Sequence, residues 1–519
     1  MLHRVWWPVL AASFLLATDI ACGVSDDAGN VAAAPPTLTS VTPAQISARG
    51  GDVLTLHGSE FAAGITVQFG DASAESVKVV SPTELTVTAP PLFAGPVTIK
   101  TAGTSGTAEL TNAVTVLALD LRFVQAPSYS LTLTNDFDAG ADAATDQDAG
   151  PSPPLSAAAS ADFDGDGDSD LVTCAATEEC HFLANDGKGN FADTSSDGTH
   201  FASGSMNAVT LVTDDFDGDG DRDLVVAPAS GFAVIETNGG TARFSESPLA
   251  WTQVGDGGAA EEDGGSAAID PVTAMASGDL DGDGKPDLVV GNATGAGAPF
   301  RIFKNTSSSG AIRFLQSAPG VVPTRDWAVR GIALGDVDGN GSVDIVVATP
   351  GSADHVELRL LLGDKGIFTE AHGGLPNVVD AQVTALAMAD VNGDGAIDIV
   401  AAGKGQDRLL INDGSGHFFD SSSTSMPLDD TTATSMMLVD LDRDRDLDLI
   451  IGNQGAVTRL YLNDGTGVFG DATPVLPIAA DDAAWVHAAD VDGDSDQDIF
   501  VFSAAPTVSR LYLSVESLP

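Results

Sequence analysis

The chain has 519 residues, room for two to four domains of roughly 150 residues each, and its 43% hydrophobic content supports a sizeable core and excludes wholesale disorder. Against 74 acidic residues stand 22 basic ones, a formal charge of −52, which excludes a nucleic-acid footprint and docking on anionic lipid. Only 18% of residues are charged, so the excess reflects scarce Lys and Arg as much as plentiful Asp, and it fits a salt-adapted surface or a collector of cations.

The N-terminus, "MLHRVWWPVLAASFLLATDIACG", is a short basic start followed by an apolar run of about a dozen residues, too short for a membrane span and of export-signal form. Cys22 follows Ala21 and precedes "GVSDDAGNVAAAPP", an arrangement that resembles a bacterial lipoprotein signal in which the cysteine becomes the lipidated first residue. Asp19 departs from the aliphatic residue usual three before that cysteine. Residues 1–22 are therefore expected to be an export signal and 23–35 a tether, with cleavage after Gly23 and a soluble secreted product as the alternative. Either route carries a bacterial chain to the outer membrane, the cell surface or the medium, with membrane contact only through the lipid.

Residues 36–118 alternate short β-branched runs with Gly, Pro and Asp turns every eight to twelve residues, the rhythm of a small β-sandwich. The phrases "SVTPAQISARGGDVLTLHGSEF", "VQFG" and "TVTAPP" resemble the IPT/TIG immunoglobulin-like family, and the resemblance implies a spacer or interaction module. His57 stands alone there and reads as a surface strand residue.

Residues 119–157 hold "LDLRFVQAPSYSLTLT" and then "NDFDAGADAATDQDAGPSPP", an Ala/Asp/Pro-rich stretch with nothing to bury, read as a linker. A second insertion of the same kind, "DGGAAEEDGG", spans 256–265. From 158 to 519 one motif recurs: "DFDGDGDSD" and its relatives begin at Asp162, Asp215, Asp279, Asp336, Asp390, Asp440 and Asp490, at intervals of 50 to 64 residues. Such a period signals a solenoid, propeller or array.

Counted from that first aspartate, position 3 is Asp164, Asp217, Asp281, Asp338, Asn392, Asp442 and Asp492. Position 5 is Asp166, Asp219, Asp283, Asn340, Asp394, Asp444 and Asp494, and position 9 is Asp170, Asp223, Asp287, Asp344, Asp398, Asp448 and Asp498. Position 7 is indifferent, although Asp168 and Asp221 add carboxylates there in the first two copies. Oxygen side chains at 1, 3, 5 and 9 match a calcium loop that uses the backbone carbonyl at 7; zinc would call for His or Cys, and magnesium keeps its waters. The loop is not an EF-hand, because position 12 holds Thr173, Val226, Val290, Val347, Ala401, Ile451 or Val501 and the aspartate at 9 runs into a strand such as "DLVVA". Gly at position 6 makes the turn in five copies; Arg445 and Ser495 replace it in the last two. Arg445 is expected to pair with a ligand carboxylate and weaken the sixth site.

Each repeat reads as four short strands, an apolar strand before the loop, one after it, and a third ending in a turn such as "LANDGKGNF" or "LINDGSGHF". These features resemble FG-GAP/VCBS repeats, the family of the calcium-bearing integrin α propellers. The resemblance implies an all-β protein, a seven-bladed β-propeller preceded by the immunoglobulin-like sandwich, with up to seven Ca2+ bound, one per blade. The last repeat stops at "SRLYLSVESLP", short of its final turn and strand, so residues 119–134 are the candidate to complete that blade.

Cys174 and Cys180 flank a tight connection; a disulfide, or two free buried thiols, fits an exported chain. No HExxH, GxSxG or Cys/His pairing is present. Trp485 and His487 read as channel-lining residues or as a buried strand pair. The expectation is a monomeric, non-enzymatic, surface-tethered binding or adhesion scaffold for a protein or glycan ligand. The alternatives are a carbohydrate-active or other hydrolytic enzyme using the propeller face, and a structural subunit of an envelope assembly.

Overall fold

The computed structural model describes residues 34–118, 121–126, 155–175, 180–194, 208–227, 234–237, 244–248, 253–254, 260–261, 272–292, 300–317, 321, 328–350, 356–376, 382–477, 482–503 and 509–515. The export signal with Cys22, most of the tether and the 135–154 stretch lie outside these residues. So does the second insertion, apart from Ala260–Glu261, which pairs with Gln253–Val254.

The N-terminal unit is a sandwich of two sheets. Thr37–Thr42, Val53–Ser59, Glu84–Thr88 and Ser76–Ser81 form one; Gln45–Ser47, Gly106–Leu117, Gly95–Gly103, Thr66–Phe69 and Ala72–Ser73 form the other. Alternation drives it: in Val53–Ser59 the side chains of Leu54 and Leu56 are fully buried while His57 is exposed. They meet Val67, Phe69, Leu85, Val87, Ile99 and Val114 from both sheets, as facing sheets require.

The remainder folds into seven four-stranded antiparallel sheets. The first strand of each touches the first strand of the next, from Leu155–Ala161 round to Ala483–Ala489, which touches Leu155–Ala161 again. The ring is therefore closed. Leu155 starts this first strand three residues ahead of the boundary expected at 158, because Leu155 already pairs with Ala175.

The second strands explain the apolar runs. All five residues of Asp223–Ala227 are buried, and so are all six of Asp287–Asn292 and Asp448–Asn453. A strand covered on both faces loses the need for polar alternation. Successive side chains still point to opposite faces: Leu224 and Val226 enter a core shared with Val172 and Phe182 of the preceding sheet, while Val225 and Ala227 join Leu288 and Val290 of the following one. Among the described residues each core of the ring thus belongs to two neighbouring sheets, and no sheet of the ring has a core of its own.

The last sheet takes its fourth strand from upstream. Phe123–Gln125 pairs antiparallel with Arg510–Ser514, in the register Phe123 to Ser514. Bonds from Ala126 N to Leu511 O (3.0 Å) and from Val515 N to Arg122 O (2.8 Å) extend the ladder. Cys174 and Cys180 are joined by a disulfide in the first sheet.

Candidate metal-binding loops

Each aspartate loop connects the first and second strands of its sheet, and the seven share most of one hydrogen-bond scheme. In the first, the Asp162 carboxylate accepts the N–H groups of Gly165 (2.8 Å) and Gly167 (3.0 Å). Asp164 accepts from Asp166 N and Asp166 from Asp168 N. The bond from position 6 to position 1 recurs in every loop. Glycine suits positions 4 and 6 because both have positive φ, 77° at Gly165 and 96° at Gly167.

Position 9 is anchored differently. Asp170 is fully buried; one oxygen accepts Phe163 N (3.1 Å) and the other Asn185 N (2.9 Å) on the third strand. The first of these bonds is present in all seven loops. Burial pushes the Asp170, Asp287, Asp344 and Asp398 carboxyls up to about 6, against the pull of those amide bonds. It pushes Asp448 and Asp498 up to about 8. Asp442, at position 3, is raised to about 7 by burial and then by the charge of Asp444.

Positions 1, 3 and 9 converge. In Asp162/Asp164/Asp170, Asp215/Asp217/Asp223, Asp279/Asp281/Asp287, Asp336/Asp338/Asp344 and Asp440/Asp442/Asp448, one oxygen from each residue lies within 4.8 Å of the others. Three hard oxygen donors around one point, one of them buried, are the donor set of a hard divalent cation, and their mutual repulsion is what such an ion relieves. Asp168 and Asp221 are not in these trios. Asp168 lies instead over the Asn185–Asp186–Gly187 turn, close enough that a side chain at Gly187 would collide with its carboxylate. In the third loop Lys304 contacts Asp281 and stands 3.7 Å from Asp283.

Sequence reasoning assigned the Asn of "NDG" to hairpin chemistry and missed its second task. Asn185 Nδ2 donates to Val491 O (2.9 Å), Asn305 to Phe216 O (2.8 Å), Asn412 to Val337 O (2.8 Å) and Asn463 to Val391 O (2.7 Å). Each acceptor is position 2 of the preceding sheet's aspartate loop, so the amide clips neighbouring loops together. Asn185, Asn412 and Asn463 open Asn-Asp-Gly turns and Asn305 an Asn-Thr-Ser turn, and this recurrence at one place in four of the seven sheets was the available signal.

The expected pairing of Arg445 with a ligand carboxylate is not what the structure shows. Its guanidinium lies over the Phe93 ring of the sandwich, 5.2 Å from the centroid. His487 Nε2 is 2.5 Å from Ser160 Oγ, tying the last innermost strand to the first, and burial holds the ring's pKa down at about 4.

A closed ring of four-stranded sheets with an oxygen-rich loop on each defines an all-β repeat protein of the propeller class. FG-GAP-like repeats match residues 162–226, 215–290, 279–347, 336–400, 390–451 and 440–501, and the chain belongs to that family; an IPT/TIG domain matches residues 36–116. No curated protein matches the sequence. Similar solved structures include an Agrocybe aegerita lectin that recognises non-reducing terminal N-acetylglucosamine, at 17% identity and TM-score 0.41, covering 78% of this chain and 92% of that one. A Bacteroides thetaiotaomicron protein of unknown function follows at 12% and 0.44 (93% and 98%), and rhamnogalacturonan lyase YesW at 14% and 0.41 (93% and 90%).

Proposed function

We propose that the protein is an exported calcium-binding scaffold whose propeller presents a rigid surface to a protein or glycan ligand, with the sandwich and a lipidated Cys22 setting its distance from the membrane. The observation that carries this reading is the convergence of carboxylates at positions 1, 3 and 9, repeated loop after loop. Calcium is favoured because its larger, more adaptable shell accommodates several carboxylates with a carbonyl and water. Its role is structural: it fixes the connection between first and second strands and neutralises clustered charge. Seven ions would bring the formal charge from −52 to about −38.

We assign no catalytic step. Ser160 and His487 resemble a nucleophile and base, but such a pair needs an acid to orient the imidazole. Among the described residues no carboxylate is bonded to His487. The pair is read as a tie across the closure of the ring.

Thermal unfolding with excess EDTA and with millimolar calcium, with bound metal counted, tests the proposal. A large rise in Tm with several calcium ions per chain supports it. No shift and no bound metal would reduce the loops to solvated turns held by their own amide bonds.

A further inference from the structure

The sixth and seventh loops depart from the other five, and both arginines among the departures meet the sandwich. Position 4 is glycine in six loops but Arg443 in the sixth; position 6 is glycine in five but Arg445 and Ser495 in the last two. Arg443, Arg445 and Ser495 keep the left-handed backbone that glycine serves elsewhere, with φ of 62°, 82° and 71°, a conformation unfavourable for residues bearing a Cβ. Something must offset that strain, and at Arg443 and Arg445 the sandwich is what the residue touches. Ala94 N donates to Arg443 O (2.6 Å), the Arg443 guanidinium donates to Ala48 O (3.3 Å), and Arg445 covers Phe93.

The sandwich reciprocates with a single cation. Arg49 sits in the turn between Gln45–Ser47 and Val53–Ser59. Asp52 accepts Ser47 N and Ser47 Oγ accepts Arg49 N, which shapes that turn. The guanidinium bridges two carboxylates of the seventh loop, donating to Asp494 Oδ2 at 3.0 Å and contacting Asp496 Oδ2. Asp496 is wholly buried and has Arg443 3.6 Å away as its second cation. The cover is visible at position 5, where Asp444 and Asp494 are half-buried but Asp166, Asp219, Asp283, Asn340 and Asp394 are exposed.

We propose that the seventh loop is a socket for Arg49: the guanidinium bridges the carboxylates at positions 5 and 7, beside the donors at 1, 3 and 9, and so latches the sandwich onto the propeller rim. Asp494, an oxygen donor at position 5, is already committed to Arg49, so a metal entering this loop competes with the guanidinium for that carboxylate. The planar guanidinium suits a two-carboxylate bridge, and a buried Asp496 stripped of it would be left with a poorly compensated charge. The ion count rests on the calcium reading above; the latch does not.

Small-angle scattering of the full chain, with bound calcium counted on the same samples, tests this. Two variants approach the contact from opposite domains: Arg49→Gln, and Asp496→Asn at position 7, where three of the other six loops hold Lys285, Ser342 or Ala396 in place of Asp. Both are expected to keep a cooperative melt and to increase the radius of gyration and maximum dimension. Arg49→Gln is also expected to bind one calcium more than the unmodified chain. Scattering curves that superimpose for all three proteins overturn the latch, and equal ion counts with measurable binding overturn the competition between metal and Arg49 for Asp494. If no form binds calcium, the scaffold reading fails, and the scattering still decides the latch alone.

Discussion

The aspartate at position 9 does two things that oppose each other. Its oxygens accept amide N–H groups from its own loop and from the third strand, which favours the ionised form, yet full burial outweighs them and raises the carboxyl to about 6 or 8. Without a cation the native state therefore holds protons that the unfolded chain, titrating near 3.8, has released. Stability contributed this way is complete below about pH 4 and is lost as pH rises through 6 and 8. Metal binding needs deprotonated ligands and strengthens over the same range. Between pH 5 and pH 8, Tm is expected to fall in EDTA and to hold or rise in millimolar calcium; parallel pH profiles in the two conditions would separate these carboxylates from any metal. The asparagine clip makes a second prediction at this scale. Asn463→Ala leaves the carbonyls of Val391 and Leu447 without their amide partner and is expected to destabilise by about 1–3 kcal/mol, read by chemical denaturation. The oxygen donors were legible in sequence because they recur at fixed spacing. The clip was not, since Asn412 and its acceptor Val337 are 75 residues apart and Asn-Asp-Gly already has a sufficient local explanation as a turn.

At the scale of strands, the fold was legible where period and burial agree. Runs such as "DLVVA" announced strands, and four strands per repeat follows from the turns between them. The short fourth strand of the last sheet is the informative exception. It was foreseeable because the final repeat ends one strand early, and Phe123–Gln125 occupies that edge. Phe123 is 3% exposed and packs with Leu460, Leu476, Val501 and Tyr512. Although it lies outside every repeat, Phe123→Ala is expected to cost about 3–5 kcal/mol, as for truncation inside a core. Hydrogen exchange should show Arg510–Ser514 losing protection first; unchanged stability with uniform protection would mean that the ring does not depend on this strand. The docking of the sandwich was not legible, because Arg445 read locally as a partner for its own loop's carboxylates, and Phe93, like the Ala48 that meets Arg443, lies some 350 residues or more away in the sequence.

For the whole molecule the governing quantity is a charge of −52 distributed unevenly. Part of the repulsion acts between loops and across the surface, over distances at which salt screens it; the Debye length is about 8 Å at physiological ionic strength. The rest acts inside each carboxylate trio, where oxygens lie within 4.8 Å of one another and mobile counterions screen little. The two parts respond to different additions. Sodium chloride relieves the first and leaves most of the second, whereas a divalent ion held by the trio relieves the second directly. In EDTA, raising sodium chloride from about 0.15 M to 0.5 M, where the Debye length is near 4 Å, is therefore expected to raise Tm modestly. Millimolar calcium at fixed ionic strength is expected to raise it further, to a value that added sodium chloride does not reach, by the linkage of a ligand bound only to the native state. If sodium chloride reproduces the calcium effect in full, the loops act as diffuse charge, and the seven-fold recurrence of their aspartates answers to folding alone.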